Sequence, residues 1–221
     1  MITNLRALVG IALAALVARD AAAQWNVARF ERGGNRLYAN FGLDPALVSS
    51  LGYSRVVPMF GHPVKLAADI GIGAAGFELS DFRARLQAHT AIVRWRSLYV
   101  TGNATFITRG TENTIYRGLN FGSDFTGTVG MYRRSWFAAG EVGFDKAVIT
   151  HIAHSDWYRQ FYPGAKDGWY LNAGGTFHYG FAAGASLGAV ELLGRAGWQR
   201  TEDYKDLMPP MYASLGFGVG F

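Results

Sequence analysis

The sequence predicts an all-β fold, a ten-stranded antiparallel transmembrane β-barrel, with eight or twelve strands as the alternatives. Three observations carry this. Apolar and polar residues alternate with a period of two along most of the chain after residue 35, as strands with two different faces require. The alternating segments run for about 9–14 residues, near the ~9–11 of a tilted membrane strand and above the ~5–6 of an ordinary one. Their polar faces carry charges and many small residues, which suits a crowded interior with the apolar face turned to lipid.

The N-terminus comes first. Arg6, an apolar run from Ala7 to Ala18 and the small stretch Ala21-Ala22-Ala23 form the three regions of a secretory signal peptide, expected at 1–23. The apolar run is too short to span a bilayer as a helix, and Arg19 and Asp20 would sit at its end. Residues 24–35 are expected as a periplasmic segment and 36–221 as the barrel.

The strands follow in order. Arg36–Leu43 sets Leu37, Ala39, Phe41 and Leu43 against Arg36, Tyr38 and Asn40; Leu47–Val57 is weaker, broken by Arg55. Val64–Ile72 opposes Lys65 and Asp69 to its apolar face, and Phe82–Val93 opposes Arg83, Arg85, Gln87 and His89. In Leu98–Arg109 only Ile107 breaks the alternation. Leu119–Tyr132, Trp136–Asp145, Trp169–Phe181 and Val190–Gln199 continue it, with Asp124, Glu141, Asp145, His178, Glu191 and Arg195 on the polar side. Met211–Phe221 ends the series with Leu215, Phe217, Val219 and Phe221 outward and Ser214, Gly216, Gly218 and Gly220 inward. Aromatics near strand ends, Trp95, Tyr99, Tyr132, Trp136, Trp169, Trp198, Tyr212 and Phe221, read as interfacial girdles.

Connections alternate in length. Arg96-Ser97, Arg133–Ser135 and Ala182–Gly184 are short; Gly73–Asp81, Gly110–Asn113, Ala147–Gly168 and Thr201–Pro210 are longer. "PMFGHP", between Pro58 and Pro63, reads as a wider turn on the short side. Short turns at one end and long loops at the other fit an even-stranded barrel.

Together the leader, the strands and the closing row Leu215, Phe217, Val219 and Phe221 resemble bacterial outer-membrane β-barrels. That resemblance implies a bacterial outer-membrane location, contact with outer-membrane lipid, and reading of the last strand by the barrel-insertion machinery. Lipid A deacylases and outer-membrane phospholipases are barrels with a His/Ser site at the rim. The one late barrel histidine, His178 in "TFHYGF", has Gly180 where the serine would be needed. Omptin proteases share ten strands but carry longer loops.

Composition narrows the function. Hydrophobic residues make up 50% and charged residues 17%, below the soluble norm of roughly 25%. The +5 charge is scattered, with no run longer than Arg133-Arg134, so no nucleic-acid partner is expected. Without cysteine there is neither a disulfide nor a thiolate metal site.

Two groups of residues are candidates for function. The long loop Ala147–Gly168 holds His151, His154, Asp156, Trp157, Tyr158, Phe161 and Tyr162, a contact surface for a ligand or an envelope protein partner. His151, His154 and Asp156 are ligand types for a metal, and a histidine with Ser155 is the stuff of a hydrolytic pair, but neither spacing is a signature, and no metal or cofactor is expected. The second group is the inward charge set Lys65, Asp69, Arg83, Arg85, His89, Arg109, Asp124, Glu141, Asp145, His178, Glu191 and Arg195. Buried charges must pair, and barrels of about eight strands are filled by side chains, so structural pairing is set against a cation-lined track for an anionic solute. The expected function is a small non-enzymatic barrel, a binding or structural component acting through the extracellular 147–168 loop, as a subunit of a larger cell-envelope assembly. A narrow channel for small solutes and a lipid-modifying hydrolase are the alternatives.

Overall fold

The computed structural model describes residues 26–43, 47–73, 80–171 and 174–221. The leader expected at 1–23 lies outside them, as does most of the stretch between Gly73 and Asp81. The described residues form a short 3-10 helix (Val27–Arg32), one α-helix and eleven strands. The strands are β1 (Gly34–Leu43), β2 (Leu47–Met59), β3 (His62–Gly73), β4 (Phe82–Trp95), β5 (Leu98–Glu112) and β6 (Tyr116–Arg133). They continue as β7 (Trp136–His154), β8 (Gly168–Leu171), β9 (Gly175–Leu187), β10 (Val190–Thr201) and β11 (Asp206–Gly220); helix α1 (Asp156–Phe161) lies between β7 and β8.

Every neighbouring pair is antiparallel, and β11 returns to β1 from Arg36↔Gly220 to Leu43↔Ala213, so the sheet closes on itself. The ring has ten places. β9 pairs with β7 from Trp136 to Lys146, and β8 pairs with β7 from Ile149 to Ile152, so β8 and β9 share one place at different heights. Each of the ten expected strands has its counterpart.

The alternation has the sense expected of a membrane barrel. Outward side chains are large and apolar: Leu51 is 64% exposed, Leu215 70% and Phe181 70%. Inward ones include charges, with Lys65 at 2% and Glu191 at 0%. A continuous apolar band of this extent in water would far exceed the few hundred Å² that soluble monomers expose, and each large side chain left wet would cost about 1.5–3 kcal/mol. The band therefore faces hydrocarbon. Aromatics edge it: Trp95 and Trp136 at the short-turn end, and the rows Phe106–Phe121–Trp169 and Phe144–Phe177–Tyr204 at the other. From Trp136 to Phe144, β7 rises about 26 Å at ~3.3 Å per residue, or about 20 Å of membrane at a ~40° tilt.

Several expectations need correction. Tyr99, Tyr132 and Tyr212 do not belong to the girdles; they turn inward, with exposures of 4%, 3% and 6%. Their hydroxyl-bearing rings fill a lumen that glycines make room for. A Cβ on Gly52 would lie 2.5 Å from the Tyr38 ring, and one on Gly184 would lie 2.4 Å from Phe137. Arg55 sits on the outer face near the short-turn rim, where a long side chain reaches water past the apolar band.

The turns also differ. "PMFGHP" tightens to Phe60-Gly61, both at positive φ, with Pro58 opposite Pro63. The prolines fit because the pair next to the one that closes a two-residue turn exchanges no hydrogen bonds. Ala182–Gly184 is strand, paired on both sides; the turn is Gly188-Ala189. Arg133 likewise stays in the ladder, opposite Trp136, leaving Arg134-Ser135 as the turn. On the far side β5 runs to Glu112 and β11 begins at Asp206, so those loops shrink to 113–115 and 202–205. The largest change is at Ala147–Gly168. The β6–β7 ladder passes a bulge at Phe121/Gly122 and continues to Tyr116↔His154, so Ala147–His154 is strand and only Ser155–Asp167 is loop.

Candidate functional site

Charge pairs line the lumen. Asp69 on β3 accepts from Tyr38 (2.8 Å), Arg85 (2.7 Å) and Gln87 (2.8 Å). Across the tube Glu141 on β7 accepts from Nε (3.0 Å) and Nη2 (2.9 Å) of Arg195 and from the Tyr212 hydroxyl (2.5 Å). Asp124 accepts from Thr126 and meets Nε2 of His178, both at 2.7 Å; Arg109 pairs with Asp145. Arg36 and Glu191 pair at 3.0 Å with side chains 3% and 0% exposed. Nε and Nη2 of Arg36 find no hydrogen-bond partner among the described residues, so Glu191 carries that cation. Lys65, wholly inside the wall, lies within electrostatic reach of Glu191 and Asp69. His89 reaches Thr101 at 3.2 Å, and Thr101, Thr128 and Tyr132 continue the chain of hydroxyls at 2.7 Å steps.

Part of this network surrounds a cavity of about 550 Å³. Arg83, Arg85 and Arg109 on β4 and β5 line it, beside Asp124, Glu141 and Asp145 on the neighbouring β6 and β7. Of the expected inward set, the structure brings Asp69 to Arg85, Arg109 to Asp145, Asp124 to His178 and Glu141 to Arg195.

The 3-10 helix stoppers the short-turn end. Asn26 caps it by accepting from the Ala28 N–H (3.3 Å) and donates to the Arg133 carbonyl (2.6 Å). Arg29 donates to the Gly188 carbonyl at 2.9 Å. Val27 (3% exposed) and Phe30 (1%) pack into Tyr99, Tyr132, Phe137 and Leu193, and the Phe30 ring meets His89 edge-on at 5.4 Å. Gly33 and Gly34, both at positive φ, turn the chain out of the lumen into β1. The segment expected at 24–35 thus has residues 26–32 inside the barrel mouth, and its last residues belong to β1.

At the opposite end the β6–β7 hairpin rises above the rim and carries α1. Ser155 is the N-cap of α1: its hydroxyl accepts from the Tyr158 N–H (3.2 Å) and donates to the Thr114 carbonyl (2.6 Å). No hydrogen bond joins it to His151 or His154 among the described residues, so it is not set up as an activated nucleophile. His154 meets Asp167 through Nδ1 (2.9 Å) and its backbone N–H (3.0 Å), and Arg159 also binds Asp167. These donors hold the Asp167 carboxyl below its usual range, the two His154 hydrogen bonds first. His151 lies apart on the outer face, edge-on to Trp169 at 4.9 Å. His151, His154 and Asp156 therefore do not converge, and among the described residues no three His, Asp or Glu side chains gather as a metal site would need.

The aromatics of this excursion stack along the helix: His154 on Tyr158, Tyr158 on Tyr162, Trp157 on Phe161. None of the α1 residues is buried, and Trp157, Phe161 and Tyr162 are 56%, 64% and 59% exposed.

Sequence reasoning placed Arg36 and Tyr38 on the inner face but missed their bonds to Glu191 and Asp69, and it read Tyr212 as a girdle aromatic where it is a donor to Glu141. It missed the stopper altogether. The signal was present in "NVARFERGG": a capping Asn, apolar residues three apart and an exit of two glycines.

No family model matches the chain, and no curated protein matches it. Solved structures do. One, from work described as "Unveiling the Mechanism Behind the in-meso Crystallization of Membrane Proteins", is 9% identical over 85% of this chain and 84% of that one, with a TM-score of 0.37. BamA from Haemophilus ducreyi lacking POTRA domains 1-3 is 10% identical over 79% of this chain and 42% of its own length, with a TM-score of 0.35. At such scores the barrel assignment rests on the chain's own closed ladder of hydrogen bonds, and that ladder makes it a ten-stranded membrane-type β-barrel.

Proposed function

We propose that the protein is a non-conducting barrel of the bacterial outer membrane, acting as a non-enzymatic binding component of the cell envelope through its β7–α1–β8 excursion. One observation carries this reading: a loop held by its own hydrogen bonds displays Trp157, Phe161 and Tyr162, each more than half exposed. Rigid aromatic side chains lose little entropy on contact and are the usual anchors of protein recognition. The expected leader, the outward row Leu215, Phe217 and Val219 on β11, and the gathering of short turns at one end support an outer-membrane location.

The test replaces Trp157, Phe161 and Tyr162 together with Ala and compares what co-purifies from native membranes in mild detergent. The expected result is loss of a specific protein partner while the barrel remains heat-modifiable on a gel. An unchanged partner set rejects the excursion as the contact.

The cavity of about 550 Å³ favours a second reading, a site or narrow path for a small polar solute. Planar-bilayer recording separates the two: a stoppered barrel is silent, and steady conductance would favour the channel.

A further inference from the structure

The two rims of the barrel treat their surface cations differently. At the long-loop rim Arg117 pairs with Glu112, Lys146 with Glu202, Arg159 with Asp167 and Arg200 with Asp206. At the short-turn rim Arg94, Arg96, Arg133 and Arg134 are all exposed, and among the described residues the one carboxylate bound to any of them is Glu31, on Arg94. The four sit on two adjacent hairpins. The β4–β5 turn is Arg96-Ser97 and the β6–β7 turn is Arg134-Ser135; β5 and β6 are hydrogen-bonded neighbours, with the Tyr132 N–H donating to the Ser97 carbonyl at 2.8 Å. Turns two strands apart lie roughly 10 Å from each other, the scale of a phospholipid headgroup.

Each hairpin also sets an arginine over an outward tryptophan. The Arg96 guanidinium lies 5.6 Å from the Trp95 ring, and that of Arg133 lies 5.9 Å from Trp136. Those rings edge the apolar band, with Trp95 65% exposed. The tryptophans therefore fix the depth of the hydrocarbon boundary, and the guanidinium groups stand just beyond it, at headgroup level. Guanidinium forks match phosphate oxygens in geometry, and basic clusters beside a membrane span attract anionic headgroups.

From this we infer that the β4–β5 and β6–β7 turns form a binding site for an anionic glycerophospholipid of the bilayer leaflet at the short-turn end. The phosphodiester lies between the arginines of the two turns, and the acyl chains run up the apolar wall beside Trp95 and Trp136. The site does not depend on the excursion at the other rim.

The experiment is native mass spectrometry of the full chain in detergent micelles doped equally with phosphatidylglycerol and phosphatidylcholine. The expected result is preferential retention of phosphatidylglycerol, reduced at least about tenfold in the variant Arg96→Asn/Arg133→Gln/Arg134→Gln; Arg94, which lies over the inward Tyr99 ring and binds Glu31, is left in place. The long-rim variant Arg117→Gln/Arg159→Gln/Arg200→Gln retains it as the parent does. Should the triple variant fail to fold, Arg96→Asn with Arg134→Gln changes turn positions only; Asn tolerates the positive φ at 96, and a loss of about threefold is expected. Equal retention of the two lipids, an unreduced preference in the rim variants, or displacement of the lipid by inorganic phosphate at matched ionic strength overturns the proposal.

Discussion

At the short-turn end of the lumen Arg36 and Glu191 meet with side chains 3% and 0% exposed, near the Val27–Phe30 stopper; at the long-loop end Arg109 and Asp145 meet with theirs 30% and 27% exposed, facing the cavity. Both are arginine–carboxylate pairs on strands of one barrel. Burial separates them. A wet pair is screened and contributes about 0–1 kcal/mol, whereas removing one partner from a dry pair strands a charge at a cost of about 3–5 kcal/mol. The chemistry of a pair therefore says less about its weight than the water around it does.

The largest expected effect follows at the dry end. Glu191→Gln keeps the shape but leaves Arg36 uncompensated, with a loss of about 3–5 kcal/mol in reversible urea unfolding from lipid vesicles. A loss comparable to that of the wet pair would mean that water reaches Arg36. Next comes the stopper. Phe30→Ala removes the ring at the centre of the cluster and costs about 3 kcal/mol of docking, read as protease access to residues 26–32 and as new single-channel conductance with the barrel intact. A silent, protected variant would assign the seal to the inward tyrosines instead. Gly180→Ala is smaller: its Cβ would lie 2.2 Å from the Ala196 carbonyl and 2.7 Å from the Tyr212 hydroxyl, an overpacking cost of about 1–3 kcal/mol in the same unfolding assay. Arg109→Gln, at the wet end, is expected to cost under about 1 kcal/mol.

The smallest effect on the barrel comes from the excursion. Asp167→Asn loosens the His154 and Arg159 contacts and speeds proteolysis between residues 155 and 167, while heat-modifiability stays unchanged. Because this carboxyl is depressed in the folded loop, its contribution is fully present above the ordinary aspartate value of about 3.9 and fades as pH falls through the depressed one. Loop proteolysis in the parent should therefore be flat from neutral pH down to that range and rise below it; in Asp167→Asn it should show no such rise.

Faces were legible in the sequence because period two is a local property. Lys65, Glu141 and Glu191 are inward and Leu215, Phe217 and Val219 outward, as the alternation directs. Even Ile107, the exception in its strand, keeps its inward place at 4% exposure. Lengths were less legible. Nothing local distinguishes Ala147–His154 from a loop, because what extends β7 is the partner strand β6, far back in the chain. Partners across the tube were illegible for the same reason. Alternation says that Glu141 points in, but only the closed ring brings it to Arg195 and Tyr212. The tyrosines at 99, 132 and 212 misled because an aromatic near a strand end serves a girdle or a stopper equally well until its parity is weighed.

The seam has a consequence for the stopper. Asn35 and Phe221 exchange two backbone hydrogen bonds, at 3.3 and 3.0 Å, and Asn35 follows the stopper by only two glycines and Gly34 itself lies in β1. The strand that shuts the ring thus clasps the residue from which the stopper hangs. Any parting of β1 from β11 therefore slackens the tether that holds the stopper. The seal of the wall and the cork of the tube thus share one attachment point, at a single asparagine.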